Sequence, residues 1–229
     1  MTTCLFDPAP TPLAEVKGTG ARYPIRRIFC VGRNYEAHAR EMGVVVDREA
    51  PFYFTKSALA YVPSGSTIPY PPGTENYHYE MELVVAIGKA GFEIPAGDAL
   101  SHVFGYACGL DMTRRDLQLA ARAKQRPWDL GKDFEQSAVL SPIVPVAESG
   151  HPDRGLLELR VDGETRQSTD LSLLVWSVAE LIAHLSRFYH LEPGDLIYTG
   201  TPEGVGPVAA GQTIEGSIAG LGGISLTIA

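Results

Sequence analysis

The chain has little of what marks secreted, membrane or nucleic-acid-binding proteins. Only three of its 229 residues are cysteine, Cys4, Cys30 and Cys108, far apart and with no C-x-x-C pair. That argues against a disulfide framework and a thiolate zinc cluster, and fits free thiols in a reducing compartment. No stretch approaches the ~18 consecutive apolar residues of a transmembrane helix. The first ten residues, MTTCLFDPAP, carry no basic segment leading into an apolar run, so no signal peptide is read there and a cytoplasmic location is expected. Basic runs are absent too. With 27 acidic against 19 basic residues the net charge is −8, which argues against nucleic acid and anionic membranes as partners. What is present is 24 Gly and 17 Pro in a chain that is 45% hydrophobic, a composition favouring a β-rich, loop-rich soluble fold over a helical bundle.

The most informative stretch is residues 77–88, YHYEMELVVAIG, which alternates at period two and reads as a strand. Tyr79, Met81, Leu83, Val85 and Ile87 point to one face, Glu80, Glu82, Val84 and Ala86 to the other. Two carboxylates therefore leave the strand on one side beside apolar neighbours. At a separation of ~6–7 Å and an effective dielectric of about 20 their repulsion is roughly 2–3 kcal/mol, and burial adds to it. A metal cation, a shared proton or a basic partner must offset it. Residues 103–110 form a second apolar strand with small residues at Gly105, Ala107 and Gly109. It delivers Asp111 at a strand-to-helix junction, a third oxygen donor. Three carboxylates without histidine or cysteine make a hard oxygen site suited to Mg²⁺, Mn²⁺ or Ca²⁺, with open positions for a 2-oxo acid.

The rest of the chain supplies candidate partners. Residues 1–24 read as an arm and 25–229 as the main domain. Residues 25–31 predict a strand, and 36–42 a short helix capped by Asn34 and ended by Gly43. On that helix His38 and Glu41 share a face, an arrangement suited to a general base. The strand at 51–56 ends at Lys56 and Ser57, both read as solvent-exposed. Thr113 to Asp116 matches a capping box, and the helix it opens runs to about Arg126, with Arg115, Gln118 and Arg122 on one face. Residues 128–134 read as a polar loop carrying Lys132. The Asp-Gly pair within 156–169 predicts a hairpin, and 172–191 a long amphipathic helix. The Gly-rich loop from Thr199 to Gly206 offers backbone N–H groups to a carboxylate or enolate, and lacks a P-loop signature. Residues 212–229 close the chain as two strands.

Taken in order, the motifs CVGRNY with His38 and Glu41, YEMEL at 79–83, GLDMTRRD at 109–116, KDF at 132–134 and YTGTPEGVG at 198–206 resemble the fumarylacetoacetate hydrolase family over about residues 21–229. The resemblance implies a mainly β, α+β fold, a mixed β-sandwich roll, and a homodimer. It implies Mg²⁺ or Mn²⁺ on Glu80, Glu82 and Asp111, a water-activating dyad of His38 and Glu41, and a catalytic lysine, Lys132. Arg115, Gln118 and Thr201 fall at its substrate contacts. The implied reaction is hydrolysis of the carbon–carbon bond of a 2,4-dioxo acid, 3-fumarylpyruvate to fumarate and pyruvate, in the gentisate branch of aromatic breakdown. A distal carboxylate on that substrate needs a cation, and Arg33, Arg115 and Arg122 are candidates the sequence does not rank. The alternatives are acylpyruvase or oxaloacetate decarboxylase activity on the same site, and a non-catalytic, metal-dependent dicarboxylate-binding protein.

Overall fold

Residues 77–88 are extended, but the strand breaks at Glu80. In the computed structural model, which describes residues 4–7, 9–43 and 48–229, Tyr77–Tyr79 and Met81–Ile87 are separate strands in different sheets. Tyr77–Tyr79 lies in a three-stranded sheet between Thr113–Arg114 and Gly206–Pro207. Met81–Ile87 lies in an eight-stranded mixed sheet, between Asp195–Tyr198 and Val103–Asp111. The break releases the Glu80 side chain from the ladder while the register holds its neighbours: Glu82 pairs with Gly109 and Met81 with Leu110. The Asp111 N–H donates to the Glu80 carbonyl at 2.9 Å, which brings the third carboxylate to the first.

The two faces sort as the alternation predicts. Tyr79, Met81, Leu83, Val85 and Ile87 enter one core, Val84 and Ala86 a second. The first lies between the large sheet and a five-stranded sheet built from Glu164–Asp170, Leu156–Val161, Thr213–Ile218, Gly222–Ile228 and Ser66–Ile68. The second is covered by Ala14, Val16 and Tyr23 around the hairpin of Leu13–Glu15 and Arg22–Pro24. With both faces covered, every residue of Met81–Ile87 is buried. The expected hairpin forms between Leu156–Val161 and Glu164–Asp170, its turn at Asp162 and Gly163, both at positive φ. The two closing strands pair antiparallel.

The helices are shorter than periodicity alone predicts. The first is Glu36–Glu41, with Tyr35 at its N-cap and no side-chain cap. Asn34, predicted as that cap, is fully buried and ties three segments together. Its amide donates to the carbonyls of Thr199 at 2.7 Å and Trp176 at 3.0 Å, and its oxygen accepts from the Trp176 N–H at 2.7 Å. The Trp176 and Val175 N–H groups are thereby bound to Asn34 rather than to a helix, so the long helix starts late, as Val178–Leu185 capped by Ser177 and Glu180. The capping box at Thr113 does not form either. Thr113 belongs to a strand, and Asp116 accepts from Thr74 and Glu75 while Arg115–Ala123 forms the helix.

Of the thiols, Cys30 and Cys108 are buried and Cys4 is exposed. Burial pushes the Cys108 thiol up to about 12. A disulfide-exchange reagent at pH 8 is therefore expected to react with one thiol per native chain and three in guanidinium; fast reaction of all three in the native protein would contradict this packing.

Candidate active site

The three acidic side chains converge. Glu80, Glu82 and Asp111 are buried, and each offers an oxygen within 4.8 Å of the others. Basic groups close in around them, against the expected exposure of Lys56 and the expected loop around Lys132. Residues Asp129–Lys132 form a short helix that turns Lys132 inward, 2% exposed. Its ammonium donates to Glu80 Oε2 at 2.8 Å, Asp111 Oδ2 at 2.7 Å and Thr113 Oγ1 at 2.7 Å. Arg115 donates to the other Glu80 oxygen and to Gln118 Oε1 at 2.5 Å. Lys56 lies behind Asp111, bonded to the carbonyls of Met112 and Lys132 and to Ser137 Oγ. Its Nζ is 2.9 Å from Asp111 Oδ1 but off the hydrogen-bonding direction, so that buried oxygen has no aligned donor.

Glu80 and Glu82 are treated differently by these surroundings. Burial would raise the Glu80 carboxyl, but Lys132 and Arg115 outweigh it and hold it well below the usual carboxylate range. Among the described residues no side-chain cation is bonded to Glu82. Burial, then Asp111 and Glu80, push its carboxyl well above the ordinary value. Its one backbone donor is the Gly200 N–H, at 2.7 Å to Oε2. Gly200 has φ +101°, and a Cβ there would meet the Asn34 Cβ at 2.7 Å, so only glycine brings that N–H to Glu82. The Gly-rich loop thus uses its donors on the protein's own carboxylates: the Gly204 N–H binds Glu41 Oε1 at 3.1 Å.

These residues fit a divalent cation. The donors are hard oxygens, one of them lacks an aligned donor, and the Lys132 ammonium already bridges Glu80 and Asp111 as a cation would. Breaking the set from the other side should be costly. Lys56→Met leaves Asp111 short of a buried cation, with an expected loss of about 3–5 kcal/mol in urea unfolding, partly recovered by adding Asp111→Asn; an unchanged midpoint would contradict this role.

Across the cavity, His38 is buried and its Nδ1 lies 3.1 Å from Glu41 Oε2. Nδ1–H donating to Glu41 leaves Nε2 as the free lone pair. His38, Glu80, Glu82, Arg115, Gln118, Lys132 and Thr201 line one inner cavity of about 40 Å³, room for a few waters. Arg33 and Arg122 stand at its mouth. Nine of the eleven site candidates named from the sequence line this cavity, and Glu41 and Asp111 stand directly behind it. Gln167 was not singled out. It is buried, donates to Thr201 Oγ1 at 2.9 Å and accepts from the Met81 N–H at 3.0 Å, which fixes Thr201 against the carboxylate strand. It sits in the polar strand Glu164–Asp170, where Thr169 is the other buried residue, and its residue type does not mark it as part of a site.

Comparison with known proteins agrees with the geometry. Residues 27–229 match the family model described as fumarylacetoacetate (FAA) hydrolase C-terminal. A fumarylpyruvate hydrolase from Ralstonia is 57% identical over 189 residues, covering 82% of this chain and 98% of that protein. The human mitochondrial oxaloacetate tautomerase is 44% identical over 202 residues, covering 88% and 90%. The crystal structure of fumarylpyruvate hydrolase from Pseudomonas aeruginosa in complex with Mn²⁺ and pyruvate superposes with a TM-score of 0.95 at 52% identity, covering 99% of each chain.

Proposed function

Since the chain belongs to the fumarylacetoacetate hydrolase family, we propose that it hydrolyses the carbon–carbon bond of a 2,4-dioxo acid, with 3-fumarylpyruvate, giving fumarate and pyruvate, as the leading substrate. The observation that carries this reading is the placement of three buried carboxylates and a His–Glu pair around one small cavity. Glu80, Glu82 and Asp111 would hold Mg²⁺ or Mn²⁺, as the Mn²⁺ and pyruvate complex of the Pseudomonas relative supports. When bound, such a cation supplies a Lewis acid with open positions for the carboxylate and keto oxygens of the pyruvyl end.

The remaining work falls to the chain. Glu41 orients His38 so that Nε2 takes a proton from a water as its oxygen adds to the distal carbonyl carbon. Lys132 is assigned to the oxyanion formed there, for which it gives up one of its three present bonds. The carbon–carbon bond then breaks with its electron pair going to the pyruvyl carbon, and the proton held by His38 returns to that carbon. Arg115, Gln118 and Thr201 orient the substrate oxygens. Residues 25–229 are the catalytic unit in this proposal. A homodimer, a cytoplasmic location and a place in aromatic breakdown belong to it as well, supported by the family membership and by the free buried thiols. Among the described residues no helix is long and apolar enough to cross a membrane.

A second reading, action on oxaloacetate at the same site, is favoured by the 44% identity to the human tautomerase. The test is the loss of enol absorbance across a panel of dioxo acids, before and after EDTA treatment. Fumarylpyruvate is expected to be cleaved fastest, with activity lost on chelation and restored by Mg²⁺ or Mn²⁺. Full activity after EDTA, or saturable binding without turnover, would contradict the reading.

A further inference from the structure

Four cationic side chains line the inner cavity, and they divide into two pairs. Arg115 and Lys132 are matched to Glu80 and Asp111. Arg33 and Arg122 form no ion pair among the described residues. Among the described residues Arg122 donates a single long bond, 3.3 Å, to the Met42 carbonyl, and the Arg33 guanidinium lies 5.8 Å over the Phe52 ring. In a chain of net charge −8, two half-buried guanidiniums share a wall with no carboxylate of the described residues paired to either. Partial burial and the facing Arg122 lower the Arg33 guanidinium, which marks a site short of negative charge.

Backbone and cavity shape point the same way. Arg33 has φ 62°, the left-handed region that a long side chain enters only under strain, and it stands immediately before the buried clamp Asn34. Both arginines also line a wider outer cleft of about 480 Å³ that continues outward from the inner cavity. Its wall is aromatic: Trp128 packs edge-on against Phe52 at 5.0 Å and tilted against Phe54 at 6.0 Å. Phe54, Trp128 and Lys132 are common to both cavities. A flat conjugated chain leaving the carboxylate cluster would therefore run along Phe54 and Trp128 and bring its far end to the two arginines.

We propose that Arg33 and Arg122 form the subsite for the far carboxylate of the substrate, so that this site selects dioxo acids whose acyl half ends in a carboxylate over those ending in a methyl group. This rests on the functional reading above and adds the substrate class to it. Arg126 lines only the outer cleft and is exposed, so it takes no part.

The test compares kcat/KM for fumarylpyruvate and acetylpyruvate in the Mn²⁺-loaded wild type, Arg33→Gln, Arg122→Gln and the double variant. Loss of a charge-assisted contact lowers the fumarylpyruvate preference by about 10-fold in each single variant and ~100-fold in the double, mostly through KM. Arg33→Lys recovers part of the preference. A parallel fall on both substrates, or an unchanged preference, overturns the subsite. Calorimetry with fumarate and crotonate separates this from failure of the reaction assignment. Wild type is expected to bind fumarate at least ~10-fold tighter than crotonate, and the double variant to bind them alike, whether or not either dioxo acid is turned over. Equal binding in the wild type overturns the subsite.

Discussion

Glu82→Gln is expected to abolish Mn²⁺ binding and turnover while making the metal-free protein more stable than wild type. Glutamine keeps an oxygen for the Gly200 N–H, so the loop contact survives, and only the charge is lost. That charge lies beside two other carboxylates, with no side-chain cation of the described residues bonded to it. Because burial, Asp111 and Glu80 raise the Glu82 carboxyl in the folded state, its contribution to stability becomes less favourable as pH rises above the unfolded carboxyl value. Below about pH 4 the group is neutral in both states and the variant gains nothing. At neutral pH the gain is about 1–3 kcal/mol, or ~3–10 °C in Tm. Thermal melts with and without Mn²⁺ read both halves: wild type rises on adding metal, the variant starts higher and stays there. A variant that melts lower than wild type without metal, or that rises equally with it, would contradict the reading of Glu82 as a charge held for a cation.

His38→Ala is expected to lower kcat on a dioxo acid by ~10²–10⁴-fold, the range for removing a positioned general base. Mn²⁺ affinity should change by no more than about 3-fold, since His38 touches none of the three carboxylates in the hydrogen-bond network. Glu41→Gln removes the charge that orients Nδ1 and should cost less, about 10–100-fold, because the imidazole remains. The pair also separates the two reactions. Oxaloacetate decarboxylation needs no water added to carbon, so loss of His38 should affect it much less than dioxo-acid hydrolysis. Equal loss on both substrates would mean that His38 serves something other than water activation.

How far the sequence reaches is clearest at the carboxylates. Period-two alternation places Glu80 and Glu82 on one side, and the second core, with Val84 and Ala86, lies on that side. The break at Glu80 is invisible to alternation, because extended residues on both sides of a sheet change keep the same period. The dyad was legible because i, i+3 spacing survives a two-turn helix. At Asn34, Thr113 and Lys56 the structure departs from the local pattern for one reason. Each carries a side chain that favours a local or solvated role, and each instead makes contacts over 19 or more residues in sequence. Lys56 lies in a strand whose neighbours Phe54 and Thr55 are only partly covered or exposed, so its complete burial behind Asp111 follows from the sheet and not from the strand. Motif resemblance reached Lys132 where spacing alone did not.

Glu80, Glu82 and Asp111 converge closely enough to share one cation. Anomalous diffraction from crystals grown with Mn²⁺ tests this most directly. A single peak about 2.0–2.3 Å from an oxygen of each of the three side chains is expected, with Lys132 no longer bridging Glu80 and Asp111. No peak there, with the Lys132 ammonium still bridging those two carboxylates, would contradict it.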